Sequence, residues 1–303
     1  MTSSNKVAVI TGANGGLGFQ TALELARMGM TVVMACRSMD KARKTQGELL
    51  AEVPDAESMV IPPDVSEPES IGEFGRQLSA QVGRVDLLIN NAGVVLAPLA
   101  RNSVGHELHL ATNYLGAFSL TGTLLPLFRE NVPGRIVNVG SLAHRFAKLD
   151  LDDLNWERAN YSEWKAYARS KVALLSFTME LNRRLRQTGS NVIALGAHPG
   201  FANTNAGRNS AALTPRNAFH RWFTEKVVEP LIPKASVAAR SIVHAASGER
   251  VSGGDYYGPT ALLETRGRTG RARVNPVARD IDAARRLWAL SEEMTGVRYL
   301  SSL

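Results

Sequence analysis

The sequence Val7-Ala8-Val9-Ile10-Thr11-Gly12-Ala13-Asn14-Gly15-Gly16-Leu17-Gly18 joins an apolar run of strand length to a segment of helical period. Glycines at such a junction permit a tight turn, let the backbone approach a pyrophosphate and allow the helix to pack closely. The N-terminus of the helix that follows supplies N–H groups and a positive dipole end for the phosphates. We therefore predict a dinucleotide-binding loop, with a simple turn as the alternative. The predicted cofactor contacts in it are Gly12, Asn14, Gly16, Leu17 and Gly18.

Short runs rich in valine and isoleucine recur along the chain and alternate with segments of helical period. The predicted strands are residues 7–10, 31–35, 60–61, 85–89, 136–139 and 192–197, and the predicted helices are residues 17–28, 71–82, 104–127, 164–186 and 237–246. Apolar strands alternating with amphipathic helices favour an α/β fold, a doubly wound parallel β-sheet (Rossmann fold) with helices on both faces. We expect residues 1–303 to form one domain, since no Pro-, Gly- or Ser-rich linker divides them.

Composition and charge narrow the class of protein. The net charge of +7 and the cluster Arg266, Arg268, Arg271 and Arg273 suggest nucleic-acid binding, but no aromatic residues are interleaved and no binding module is recognisable. We therefore expect no nucleic-acid partner. The single cysteine, Cys36, excludes an internal disulfide. The apolar runs are too short for a membrane span and no signal peptide is evident, so we expect a cytoplasmic protein.

An arginine ends the second predicted strand, in the sequence Cys36-Arg37-Ser38. Dinucleotide sites that take NAD usually carry an acidic residue here, which binds ribose hydroxyls, whereas an arginine accommodates a 2′-phosphate. No carboxylate precedes Asp40. We therefore predict NADP(H) as the cofactor, with Arg37 and Ser38 at the phosphate. The alternative is that the basic residues here form a solvated helix face.

Two further segments follow predicted strands and extend the same site. Asp64 and Val65 could hold the adenine edge through a carboxylate and an N–H group, although Asp64 could equally cap the next helix. Asn91, Ala92 and Gly93 provide small residues on which a ribose could lie, with a plain strand-ending turn as the alternative. Ligands of doubly wound sheets bind beyond the carboxyl ends of the strands, where all of these residues are predicted to lie.

Tyr167 and Lys171 are four residues apart in a predicted helix and therefore share a face. A tyrosine is a poor proton donor because its unperturbed pKa is about 10. A nearby cation favours the phenolate and would bring that pKa toward the working pH. The pair is thus a candidate for proton transfer, with surface or packing residues as the alternative.

Together these segments resemble the short-chain dehydrogenase/reductase family, in its compact single-domain branch, over nearly the whole chain. The residues that carry the resemblance are the Thr11-Gly12 loop, Asn90-Asn91-Ala92-Gly93, Ser141, the motif from Tyr167 to Lys171 and Pro199-Gly200. Within the family the chain is most similar to retinol-dehydrogenase-like reductases. That similarity lies in Ala35-Cys36-Arg37-Ser38, residues 152–156 and Gly254-Asp255-Tyr256-Tyr257-Gly258-Pro259.

The resemblance implies a role for each residue of the reaction. Tyr167 would be the general acid or base, Lys171 would bind the nicotinamide ribose, and Ser141 would polarise the substrate oxygen. Asn113, a poor helix former in the middle of a predicted helix, would hold a water that connects Lys171 to solvent. The residues implied at the nicotinamide carboxamide are Pro199, Gly200, Phe201 and Thr204, with loop packing as the alternative.

The sequence thus predicts an NADP(H)-dependent carbonyl reductase or alcohol dehydrogenase acting on a lipophilic or aromatic substrate. An apolar segment at about 201–235 would form a substrate lid, and about 258–303 a C-terminal extension. The alternatives are reduction of a conjugated C=C bond and a non-catalytic NADP(H)-sensing protein. Histidines are too scattered for a metal site, and the family resemblance implies a homodimer or homotetramer.

Overall fold

The computed structural model describes residues 6–201 and 233–300 of the chain. The strands are β1 (Val7–Thr11), β2 (Thr31–Ala35), β3 (Ser58–Ile61), β4 (Leu87–Asn90), β5 (Gly134–Val139), β6 (Val192–Ala197), β7 (Tyr256–Ala261) and β8 (Arg266–Arg271). The helices are α1 (Gly16–Arg27), α2 (Met39–Glu52), α3 (Pro68–Gln81), α4 (Leu108–Leu110), α5 (Gly116–Leu124), α6 (Glu163–Gln187), α7 (Ala235–Ala238), α8 (Arg240–Ser247) and α9 (Ile281–Thr295).

The strands form one sheet in the order β3-β2-β1-β4-β5-β6-β7-β8. The first seven are parallel, and β8 pairs antiparallel with β7. The strand order reverses between β1 and β4, where Ala8 is in register with Leu87. A doubly wound sheet opens a ligand crevice at the carboxyl ends of the strands beside such a reversal. The predicted fold class is therefore confirmed.

Alternate residues of each central strand contribute to opposite faces of the sheet, because side-chain direction in a strand has a period of two. In β1, Val7 and Val9 pack on the face covered by α3, α5, α6 and α9, whereas Ala8 and Ile10 pack on the face covered by α1, α2 and α8. Both faces are buried, which explains why these strands are apolar without interruption. The buried layers hold the carboxyl ends of the strands in place at one rim.

Several strands and helices were missed or were predicted with different bounds. Neither β7 nor β8 was identified, because β8 is rich in arginine and glycine and is held by its pairing to β7. The helix expected over residues 104–127 begins at Leu108 and is interrupted by a π-helical turn, Ala111–Leu115. The helix expected over residues 237–246 is divided into α7 and α8. Among the described residues, no helix combines the length and apolarity needed to cross a bilayer.

Candidate active site

The loop between β1 and α1 is shaped by glycines that could not carry a side chain. Gly12 and Gly16 have φ values of 66° and 53°, in the left-handed region that favours glycine. A β-carbon on Gly18 would lie 2.3 Å from the carbonyl oxygen of Gly12 and 2.6 Å from the side chain of Asn91. Backbone therefore packs against backbone at this turn, as a closely approaching pyrophosphate requires.

The N-terminus of α1 is left without a side-chain cap. Gly15 occupies the N-cap position and the first turn contains no acidic residue. By contrast, Ser38 caps α2 and Ser162 caps α6 with their hydroxyls. An uncapped helix terminus at a glycine loop offers free N–H groups and the positive end of a dipole to an anion. Leu17 is buried in the first turn, so its backbone N–H rather than its side chain is what could reach a ligand.

The ends of β1 and β4 are tied together below this loop. The hydroxyl of Thr11 accepts hydrogen bonds from the N–H groups of Asn91 and Ala92, both at 2.9 Å. The Asn91 side chain donates to the carbonyl of Thr11 at 2.8 Å. The glycine loop and the segment with Asn91, Ala92 and Gly93 thus form the two walls of the crevice at the point of strand reversal.

The end of β2 carries an accessible cation. The side chain of Arg37 is 78% exposed, and its Nη1 lies 3.3 Å from Oδ2 of Asp64. Asp64 also accepts hydrogen bonds from the amide and hydroxyl of Ser66, at 3.0 and 2.6 Å, so it caps the turn before α3. Burial raises the pKa of Asp64, but the hydrogen bonds from Ser66 and the charge of Arg37 outweigh this and lower it. Ser38 is occupied as the N-cap of α2, where it accepts from the Lys41 amide at 3.5 Å.

The remaining predicted contacts around the adenine end are backbone positions. The carbonyl of Asn14 lies 3.4 Å from the Thr45 hydroxyl, which fixes the glycine loop to α2. Val65 is buried, and a β-carbon on Gly116 would lie 2.2 Å from its carbonyl oxygen. These contacts place both residues at the carboxyl edge of the sheet.

Ser141 and Tyr167 meet across the carboxyl end of β5. Ser141 begins a short 3₁₀ turn, Leu142–Phe146, and its hydroxyl oxygen accepts from the Ala143 amide at 3.2 Å. It also forms a hydrogen bond with Tyr167. Burial raises the pKa of Tyr167, and the bond to Ser141 lowers it only in part. The expectation that Lys171 brings this pKa toward neutral is therefore wrong for the protein without cofactor, because desolvation of the phenol is the larger effect.

Lys171 lies on the same face of α6, with its Nζ 6.0 Å from the centre of the Tyr167 ring. The side chain is buried, and Nζ donates to the carbonyl of Val139 at 2.9 Å. Burial lowers the pKa of Lys171 from 10.5 to about 8. No carboxylate among the described residues pairs with this ammonium, which is unusual for a buried charge, and groups with such perturbed pKa values concentrate at functional sites.

Asn113 lies in the π-helical turn between α4 and α5 and is buried. Its amide oxygen accepts from the Val94 N–H at 2.8 Å, and its amide nitrogen donates to the Val94 carbonyl and to Ser170 Oγ. A β-carbon on Gly93 would lie 2.9 Å from Asn113 Oδ1 and 3.7 Å from Lys171 Nζ. Gly93 therefore leaves the space between the amide and the ammonium free of side chain.

A phenol hydrogen-bonded to a serine, a buried ammonium one helical turn away and a glycine loop at one sheet edge can bind a dinucleotide and move a proton. The family model of the short chain dehydrogenases matches residues 6–213. The chain is a short-chain dehydrogenase.

The relatives of this short-chain dehydrogenase agree with the subgroup predicted from its sequence. Human retinol dehydrogenase 13 is 37% identical over 302 residues, which cover 98% of this chain and 86% of that protein. A crystal structure of an uncharacterised protein from Mycobacterium paratuberculosis is 36% identical, with a TM-score of 0.80 over 98% of this chain and 96% of that one. A blue fluorescent protein from a metagenomic library, solved in complex with NADPH, is 25% identical, with a TM-score of 0.62 over 84% of this chain and 96% of that one.

The segment that the sequence of this short-chain dehydrogenase predicts at the nicotinamide, Pro199 to Phe201, lies after β6. Gly200 has a φ of 71°, and a β-carbon on it would lie 2.5 Å from the Thr265 carbonyl, so the turn after Pro199 requires glycine. The N–H of Phe201 donates to that same carbonyl at 3.1 Å. Thr204 and most of the expected lid lie outside the described residues. The hairpin of β7 and β8 thus supports Pro199-Gly200, a contact that the sequence did not reveal.

A second group was also missed: Glu107, His109 and Tyr161, which are joined by hydrogen bonds and lie next to Tyr167. From the sequence the histidines were weighed as metal ligands, and no catalytic or binding role was predicted for His109. The only sequence signal is a pair of polar residues two apart at the start of a helix, and Tyr161 lies more than fifty residues away along the chain. Within the described residues no cluster of His, Cys, Asp and Glu could hold a metal ion.

Proposed function

We propose that this short-chain dehydrogenase transfers hydride between NADP(H) and the carbonyl carbon of a lipophilic or aromatic molecule, interconverting a ketone or aldehyde and an alcohol. The observation that carries the proposal is the hydrogen bond between Ser141 and Tyr167, with the buried Lys171 on the same helix face. When bound, the nicotinamide would accept or donate the hydride. The protein must then position the substrate oxygen and handle one proton.

The side chains divide that work between them. Ser141 Oγ accepts the Ala143 N–H, and its one hydroxyl hydrogen, which is directed to Tyr167, would turn to a substrate oxygen placed beside that phenol. Tyr167 would donate its phenolic proton to that oxygen in reduction and accept a proton in oxidation. A positive charge on Lys171 would favour the phenolate that forms in each cycle. The space that Gly93 leaves between Asn113 and Lys171 would admit a water for proton exchange with solvent.

The preference for NADP(H) rests on the end of β2. Arg37 is largely exposed and makes one ion pair, while the carboxylate of Asp64 is engaged by Ser66. A guanidinium can turn from that pair to form bidentate hydrogen bonds with a phosphate. The related blue fluorescent protein, whose structure holds NADPH, supports the same assignment.

The proposal of a lipophilic substrate rests on apolar side chains near the reacting groups. Phe146, five residues after Ser141, is 76% exposed, and Phe201, next to Gly200, is 57% exposed. Exposed aromatic side chains at the mouth of a pocket favour an apolar ligand. The relative named as a retinol dehydrogenase supports a large apolar alcohol as one member of the substrate class.

The test is consumption of NADPH with a panel of lipophilic aldehydes, ketones and quinones by wild type and Tyr167→Phe. We expect turnover by wild type and a loss of at least about 1,000-fold in kcat in the variant, with the Kd for NADPH unchanged, since the variant lacks only the proton donor. Tyr114→Phe, which removes a buried hydroxyl bonded to Ser291, is the control and should keep its activity.

The products decide between the alternatives. An alcohol as product supports carbonyl reduction, whereas a saturated ketone from an unsaturated one would establish reduction of the conjugated C=C bond. Binding of NADPH without turnover of any member of the panel would favour the cofactor-sensing alternative. Full turnover by Tyr167→Phe would remove this residue from the mechanism.

A further inference from the structure

A buried carboxylate, Glu107, lies at the centre of a hydrogen-bond cluster next to the proposed site. Its side chain is 1% exposed. It accepts from the backbone N–H groups of His109 and Leu110, at 2.9 and 2.8 Å, from Nδ1 of His109 at 2.8 Å, and from the hydroxyl of Tyr161 at 3.0 Å. Four donors satisfy the carboxylate, which is the condition for keeping a charge buried.

The same cluster holds the backbone of Ala97 from both sides. The N–H of Ala97 donates to Nε2 of His109 at 3.1 Å, so the ring hydrogen lies on Nδ1 and is directed to Glu107. The carbonyl of Ala97 lies 3.0 Å from the hydroxyl of Tyr161, whose single hydrogen is shared between this carbonyl and Glu107. Both backbone groups of this residue are therefore bound by side chains rather than by a neighbouring strand.

Val94, three residues earlier, is held in the same way by the side chain of Asn113. Between these two fixed points lies Leu96, with a φ of 49°. A left-handed backbone at a residue other than glycine costs roughly 1–2 kcal/mol and persists only where its surroundings impose it. The bonds to Val94 and Ala97 are the constraint that imposes it here.

This strained segment crosses the front of the catalytic groups. At one end Gly93 faces Asn113 and Lys171, and at the other the ring of His109 packs edge-on against the ring of Tyr167, with centroids 6.1 Å apart. A substrate whose oxygen is bonded to Tyr167 would therefore lie alongside residues 94–97.

Glu107 and Tyr161 each keep one protonation state near neutral pH. Burial raises the pKa of Glu107, but the hydrogen bonds from His109 and Leu110 outweigh it and lower the pKa, so the group is ionised. Burial, followed by Glu107, raises the pKa of Tyr161, which therefore stays protonated and a donor. These two groups therefore provide a fixed acceptor and a fixed donor, and we call the cluster of Glu107, His109 and Tyr161 the clamp.

Resting on the proposed function, we infer that Glu107, His109 and Tyr161 are positioning residues. They hold residues 94–97, with Leu96 in its left-handed conformation, against Tyr167 and thereby determine which substrates fit the site. Loss of one clamp bond releases Ala97 and lets Leu96 relax, which changes the wall of the substrate pocket without touching the cofactor loop.

The first arm of the test measures kcat and KM for a bulky and a small carbonyl substrate with Tyr161→Phe. We expect the ratio of the two kcat/KM values to change about five- to tenfold, mainly through KM, while the Kd for NADPH is unchanged. His109→Ala should produce a larger change, and His109→Gln should restore most of it, because glutamine can still accept the Ala97 N–H.

The matched control is Tyr299→Phe, which removes a hydroxyl that donates to the Phe118 carbonyl at 3.1 Å, far from the site. It should leave the substrate ratio unchanged. An equal change of ratio in this control, or an unchanged ratio and unchanged KM in both Tyr161→Phe and His109→Ala, would overturn the inference.

The second arm is hydrogen–deuterium exchange of the peptide containing residues 94–97, which does not depend on turnover. The amide of Ala97 should exchange at least about tenfold faster in Tyr161→Phe and His109→Ala than in wild type. Unchanged exchange in both variants refutes the clamp even if the enzyme is active. Faster exchange in the two variants would support the clamp even if the wild type consumed no NADPH, which would refute the proposed function. The two failures are therefore distinct.

Discussion

Two regions of the candidate site, the glycine loop (Gly12 to Gly18) and the sheet edge with Ser141, Tyr167 and Lys171, differ in how they are built. We call the second region the catalytic edge. The loop uses backbone packed against backbone, with Gly18 against the carbonyl of Gly12 and no charged side chain. The catalytic edge uses buried polar side chains, among them Lys171 and Glu107. The loop is specified by a few adjacent residues and does not oppose folding, whereas the catalytic edge is assembled from distant residues and includes a buried cation that destabilises the fold.

The largest change in cofactor affinity should come from a side chain added at Gly18 in the glycine loop. Gly18→Ala puts a β-carbon 2.3 Å from a backbone oxygen that cannot move aside cheaply. We expect the Kd for NADPH to rise by at least about 1,000-fold, roughly 4 kcal/mol. Isothermal titration calorimetry measures this directly.

The control for that change is Gly47→Ala, in α2, where nothing lies within 4 Å of the added carbon. It should bind NADPH like wild type and be more stable by about 0.5–1 kcal/mol, since alanine is the better helix former. Tight binding by Gly18→Ala would mean that the loop is not a backbone-only site.

Replacing the buried cation Lys171 should make the protein more stable and inactive. The pKa of Lys171 is lowered from 10.5 to about 8, so the unfolded chain binds this proton more tightly than the folded protein does. Below pH 8 the buried charge opposes folding by up to about 3 kcal/mol, and the penalty fades as the pH rises from 8 to 10.5. Lys171→Met should therefore raise the free energy of unfolding at pH 7 by about 1–3 kcal/mol while abolishing turnover.

Urea denaturation at pH 7 and pH 10 checks the sign as well as the size. The advantage of the variant should shrink at the higher pH. Lys165→Met, an exposed position on the same helix, is the control and should show neither the gain nor its pH dependence. If Lys171→Met were less stable than wild type at pH 7, Lys171 would stabilise the fold, and the catalytic edge would not carry the expected cost in stability.

The smallest effect concerns the charge at the end of β2. Arg37→Asp should weaken binding of NADPH by about 10- to 30-fold, the loss expected for hydrogen bonds to a charged phosphate, and leave the Kd for NADH within about threefold of wild type. Arg43→Asp, on an exposed position of α2, is the matched change of charge and should alter both values alike. An unchanged ratio of NADPH to NADH affinity in Arg37→Asp would remove this residue from the cofactor preference.

The parts of the molecule that could be predicted follow from the same contrast. The strands β1 to β6 and the glycine loop are specified by local runs of valine, isoleucine and glycine, and the structure contains them close to the expected bounds. Ser141 and Tyr167 were paired through the family resemblance and do form a hydrogen bond. The strands and the loop are features that a short window of sequence can contain, whereas the Ser141–Tyr167 pair came from the resemblance.

The rest depends on contacts that no such window contains. The π-helical turn that contains Asn113 interrupts the regular α-helical period, and no residue pattern in the sequence marks it. The clamp joins Tyr161 to Glu107 across more than fifty residues. The predicted direction of the Tyr167 pKa shift was wrong, because burial of the phenol raises this pKa and the spacing of charged residues in the sequence does not reveal burial.

The two outer strands of the sheet have a consequence for solubility. An open edge strand offers unpaired N–H and C=O groups on which strands of other molecules can add, the first step of aggregation. In the described part of the chain, one outer strand, β3, is only four residues long. The other, β8, presents exposed Arg266 and Arg268 and follows an irregularity in its pairing with β7 between Pro259 and Ala261. Repulsion between like charges and a distorted edge both discourage strand addition, so the arginines that suggested a nucleic-acid partner would oppose the addition of strands from other copies at this edge.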